Sequence, residues 1–67
     1  MEIKDLKEDT IYLCKLSDRK ILVTHVYEED SPGLPKFLVA KGVAYSPQTG
    51  VYDHGVDIYN NMLQSIN

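Results

Sequence analysis

Residues 36–46, Lys-Phe-Leu-Val-Ala-Lys-Gly-Val-Ala-Tyr-Ser, alternate as a long strand does, and run into Pro47-Gln48-Thr49-Gly50. Proline holds φ near about −65° and glycine takes positive φ without strain, so this tetrapeptide reads as a hairpin turn. Residues 51–59 form the returning strand. Closing the turn with Ser46 and Val51 sets Tyr45 opposite Tyr52, Val43 opposite His54, Lys41 opposite Val56 and Val39 opposite Ile58. One face then carries Phe37, Val39, Val43, Tyr45, Tyr52, Val56 and Ile58 and reads as the core face. The other gathers Leu38, Ala40, Gly42, Ala44, Asp53, Gly55, Asp57 and Tyr59, a smooth and lightly acidic strip. A bulge at Gly55 would shift the pairs beyond it by one residue and exchange the faces there.

A second hairpin precedes this one. Residues 10–16 and 20–27 are rich in β-branched, aromatic and aliphatic side chains, with a short polar turn between them. Pairing Leu16 with Ile21 puts Cys14 beside Val23 and Tyr12 beside His25. Residues 28–35 combine acid, proline and glycine and read as an exposed loop, since proline has no N–H for a ladder. In the first nine residues Ile3 and Leu6 are three apart, as in a short turn laid over one end of the sheet. Residues 60–67 read as one helical turn followed by a short strand.

The expected fold is therefore all-β: a small, partly open SH3-like barrel of about five antiparallel strands with a short helical turn near the C-terminus. Leu6, Thr10-Ile11-Tyr12-Leu13 and, after a tight turn, Lys20-Ile21-Leu22-Val23 carry a resemblance over the first 27 residues. That opening resembles small SH3-like barrels of the Tudor and KOW type. The resemblance implies binding of peptides, modified side chains or nucleic acid.

Sixty-seven residues make one domain, which buries only ~60% of its unfolded surface. Such chains are often helped by disulfides, metals or self-association, and the single Cys14 excludes an internal disulfide, so a homo-oligomer is expected. No charged start followed by an apolar run opens the chain, and no stretch approaches the ~20 apolar residues of a membrane span, so a cytoplasmic protein is expected. The formal net charge of −3 opposes polyanions in bulk.

The residues that bear chemistry do not converge. Cys14 would need His25 beside it to act as a nucleophile, and the pairing sets Val23 there instead. Asp53, His54 and Asp57 are the densest possible metal ligands, yet His54 points away from Asp53, and the two aspartates lie about 13 Å apart along a strand. No catalytic, cofactor or metal site is expected. The expected function is a non-catalytic protein-interaction or structural module, an inhibitor or an assembly subunit among the options. It would present the strip of Leu38, Ala40, Gly42, Ala44, Asp53, Asp57 and Tyr59 to a protein partner or a second copy. The alternative is a small nucleic-acid-binding barrel that uses Lys4, Lys7, Lys15, Arg19, Lys20, Lys36 and Lys41, with Arg19 and Lys20 in one turn.

Overall fold

The computed structural model describes residues 1–66. Among these, five strands form one antiparallel sheet: β1 (Thr10–Cys14), β2 (Lys20–Glu29), β3 (Phe37–Ser46), β4 (Val51–Ile58) and β5 (Leu63–Gln64). Their order across the sheet is β4-β3-β2-β1-β5: β1 to β4 form a meander, and β5 returns to pair with β1. The sheet is open, with β4 at one edge and β5 at the other.

A 3-10 turn at Ile3–Asp5 places Ile3 and Leu6 in the core, as their spacing predicts. The helical turn expected near the C-terminus is instead a simple turn at Asn60 and Asn61, where Met62 N–H reaches the Tyr59 carbonyl at 3.2 Å. Asn61 there has φ 64°, a left-handed value that asparagine tolerates but a helix does not. This corner is tied to the chain start. Asn60 Oδ1 accepts the Ile3 N–H at 2.8 Å, and the Met1 amino group donates to the Leu63 carbonyl at 2.9 Å.

The core consists of Ile3, Leu6, Tyr12, Cys14, Ile21, Val23, Ala40, Ala44, Ile58 and Leu63. Tyr12 also satisfies its polar end, its hydroxyl oxygen accepting the Lys7 N–H at 3.0 Å. Ala40, Gly42 and Ala44 thus line the inside of the sheet, which corrects their assignment to an outer strip. The physical reason is curvature. Two bulges, at Thr24 of β2 and Asp53 of β4, increase local twist, and each exchanges the faces of its strand beyond it. The concave side of a sheet bent over itself is crowded. Where Ile21, Val23 and Ile58 already fill it, β3 has room only for alanine and glycine.

The second hairpin closes as read, with Ser46 paired to Val51 and Tyr45 to Tyr52. The bulge that exchanges faces lies at Asp53 rather than Gly55, so Ala44 meets His54 and Ala40 meets Ile58. In the first hairpin, Tyr12 pairs with Ile21 and Thr10 with Val23, a register displaced by an even number of residues. The faces survive the displacement, but the turn is longer and leaves Leu16 92% exposed rather than paired with Ile21.

Candidate functional site

Two surfaces bring side chains together, one at each end of β2. At its C-terminal end, β2 and β3 run past their neighbours. The pairs Tyr27–Val39, Glu28–Leu38 and Glu29–Phe37 lie beyond the last β1 pair, Thr10–Val23, and beyond the last β4 pair, Ala40–Ile58. The result is a two-stranded arm. It gives the molecule extents of 43 × 22 × 19 Å and a radius of gyration of 12.6 Å, against the ~11 Å usual for a compact chain of this length. A lone ribbon is marginal in water unless an apolar face finds cover. Here Tyr27, Leu34, Phe37 and Leu38 remain exposed.

At the root of the arm, Phe37, Leu38, Asp57, Tyr59 and Ile3 line a groove of about 310 Å³ with Ala40 and Ile58 in its wall. Leu38 is 38% exposed, Phe37 48% and Tyr59 68%. Of the seven strip residues, Leu38, Asp57 and Tyr59 therefore meet at one accessible place. Gly42 and Ala44 are buried, so the row of small residues offers nothing to a partner. Asp53 belongs to the opposite end of β4, where its carboxylate accepts the Thr49 hydroxyl at 3.0 Å. Phe37, read from alternation as core, is a surface residue, because alternation from the inward-facing Ala40 sets it on the outer face of the ribbon, beyond the last β4 pair.

At the N-terminal end of β2, the β1–β2 turn faces the β3–β4 turn across a cleft of about 510 Å³, lined by Ser17, Asp18, Arg19, Lys20, Tyr45, Pro47 and Tyr52. Tyr45 and Tyr52 stand edge to face, with ring centroids 5.3 Å apart and planes at 63°. Both rings are half-buried on the outer side of the sheet, which corrects their reading as core. The signal lay in the sequence, since both tyrosines flank a turn already recognised; which face they occupy depended on the bulge.

The remaining groups stay apart. Cys14 is buried and pairs with Leu63, whereas His25 sits opposite Lys41 beyond the Thr24 bulge, exposed, with Nδ1 3.0 Å from the Thr24 hydroxyl. The Ser17 hydroxyl beside Cys14 pulls its thiol below the ordinary value; burial opposes this, and the backbone N–H groups of Leu16 and Ser17 assist it. Among the described residues no three His, Cys, Asp or Glu side chains gather to hold an ion, and no helix is long and apolar enough to cross a membrane. No known protein family matches this chain, and no curated protein or solved structure does either.

Proposed function

We propose that the protein is a non-catalytic interaction module that holds a basic, extended polypeptide segment at the root of the β2–β3 arm. The carrying observation is the cluster of Phe37, Leu38 and Tyr59, large apolar side chains exposed around one groove. Large anchors of this kind concentrate binding energy. Residues 37–39 of β3 have no β4 partner, which leaves a strand edge to which a segment can add. Charge selects the occupant. Glu28 and Glu29 lie across the ribbon from Leu38 and Phe37, Asp30 follows them and Asp57 lines the groove, four acids against Lys36 beside Phe37 and Lys41 opposite Asp57, while the nearby Lys4 is paired with Glu2 at 3.3 Å. The meander of β1 to β4 with a fifth strand added on β1 supports reading the sheet as a partly open SH3-like barrel. The free, buried Cys14 suits a reducing, cytoplasmic setting.

The test is a titration followed by backbone amide NMR, with a synthetic peptide of alternating lysine and valine as probe. Shifts confined to Phe37, Leu38, Asp57 and Tyr59, weakened by salt and abolished by Phe37→Asp, are the expected result. Shifts scattered over the molecule, or none, would overturn the reading. Light scattering on the free protein covers the other occupant: a dimer dispersed by Phe37→Asp would mean that a second copy, not a basic partner, fills the groove.

A further inference from the structure

We infer that the cleft between the β1–β2 and β3–β4 turns is a nucleotide site, taking an aromatic base against Tyr45 and Tyr52 and the attached phosphate at Arg19 and Lys20. Its volume of about 510 Å³ lies within the roughly 300–1,000 Å³ of small-ligand sites. The two rings are half-buried, close to each other and part of the cleft wall, an arrangement on which a planar ring can stack. Pro47 closes the same side with a rigid ring.

The opposite wall supplies charge. Arg19 and Lys20 are adjacent and exposed, and among the described residues the one ion pair is Lys4 with Glu2, so neither has an acidic partner there. The turn that carries them is held by its backbone. The Cys14 carbonyl accepts the Asp18 N–H at 2.9 Å, and the Arg19 carbonyl accepts the Cys14 N–H at 2.8 Å. The net charge of −3 does not decide the potential here. The arm's acids begin with Glu28, eight residues along β2 from Lys20 and so about 25 Å away, several times the ~8 Å screening length at physiological salt, and the acids near the cleft are Asp18 in its lining and Asp53, whose carboxylate accepts the Thr49 hydroxyl.

Asp18 narrows the ligand class. A simple anion would gain from Arg19 and Lys20 but meet the Asp18 carboxylate, and would make no use of the tyrosines. A cation would gain from Asp18 and the rings but meet two positive charges. A nucleotide answers all three features. Its base stacks, its phosphate is attracted to the guanidinium and ammonium, and its ribose hydroxyls or exocyclic amine donate to the carboxylate. The same chemistry is offered by a free nucleotide and by one unit of a single strand.

The chain has no tryptophan and two of its five tyrosines line the cleft, so the saturable part of the tyrosine quenching reports the site. Titration at low salt with AMP, adenosine and an eight-residue oligoadenylate is expected to give saturable quenching by AMP at micromolar to low-millimolar concentration. Adenosine should bind more weakly. Replacing both Arg19→Gln and Lys20→Gln should weaken AMP about tenfold, the scale of a lost charge-assisted contact, and leave adenosine unchanged. Tyr52→Leu should weaken both by about tenfold, as expected for a lost stacking contact. Oligoadenylate binding tighter than AMP, with a steep salt dependence, assigns the site to single strands; equal affinity per nucleotide assigns it to free nucleotides. No saturable quenching by AMP or oligoadenylate, or equal AMP binding by the Arg19→Gln, Lys20→Gln protein, overturns the inference. Those two side chains are exposed, so that protein tests the site even where Tyr52→Leu fails to fold. Phe37→Asp should leave the titration unchanged, which separates this site from the arm.

Discussion

The carboxylate of Glu8 accepts the backbone N–H of Val26 at 2.9 Å, across the space that β1 vacates after Thr10 pairs with Val23. One side chain thus stands in for the next residue of a neighbouring strand, and it does so where the arm departs from the sheet. Glu8→Ala should leave the Val26 amide to water, speed its hydrogen exchange and lower stability by about 1 kcal/mol, with Glu8→Gln intermediate. Unchanged exchange at Val26 would mean that the arm is held by β3 alone.

Two glycines on paired strands should respond in opposite ways. A Cβ on Gly42 would run into the Leu22 carbonyl oxygen, with Ile21 Cγ2 and Ile58 Cδ1 both at 3.2 Å. Backbone cannot yield as a flexible side chain can, so Gly42→Ala should cost about 2 kcal/mol or more. A Cβ on Gly55 meets nothing within 4 Å. Gly55→Ala should raise stability by about 0.5 kcal/mol by restricting the unfolded chain. Chemical denaturation of the two proteins side by side checks both signs.

Gly50 has φ 74°, and its N–H reaches the Ser46 carbonyl at 2.7 Å. Valine at that angle is strained, so Gly50→Val should destabilise by about 1 kcal/mol or more, and Gly50→Asn by less. Equal melting temperatures for the three proteins would contradict this strain.

The strands were legible in the sequence, and so was the turn at Gly50, because alternation and turn chemistry are local. The inside of the sheet was not. Assigning the bulkier residues, Phe37, Val39 and Val43, to the core assumes a flat sheet with room on both sides, whereas the bent sheet packs Ala40, Gly42 and Ala44 inward. The Thr24 bulge that helps produce this bend is stabilised by a non-local bond, the Thr24 hydroxyl donating to the Lys41 carbonyl at 3.1 Å. Such a bond leaves no periodic trace. For the same reason Leu38, Asp57 and Tyr59 could be named as surface residues, while their meeting with Phe37 could not.

Cys14 should react with a thiol reagent far more slowly in the native chain than in the unfolded one, because it is buried. Its thiol is nevertheless lowered in the fold, chiefly by the Ser17 hydroxyl. An acid group with a lowered native pKa binds its proton more weakly in the fold than in the unfolded chain. Its contribution therefore grows as pH rises from the native value toward the ordinary 9.0, and is lost as pH falls through the native value. The stability advantage of the wild type over Cys14→Ser should widen between neutral pH and pH 9.0, and Ser17→Ala should flatten that trend. A gap independent of pH would place the thiol at its ordinary value.

The pairing of Cys14 with Leu63 also sets the order of events when the chain folds. The two residues are 49 positions apart, whereas β1 to β4 join through short connections. Local hairpins form in microseconds, and distant pairings must wait until loop closure becomes worthwhile. The outer edge of β1 accordingly spends the early part of folding without its neighbour, a bare template for another nascent chain. Leu63, wholly buried once docked, is then the latch that ends this interval. Shortening it to alanine would prolong the exposure as well as weaken the product, so in the crowded milieu of synthesis the first symptom would be lost yield.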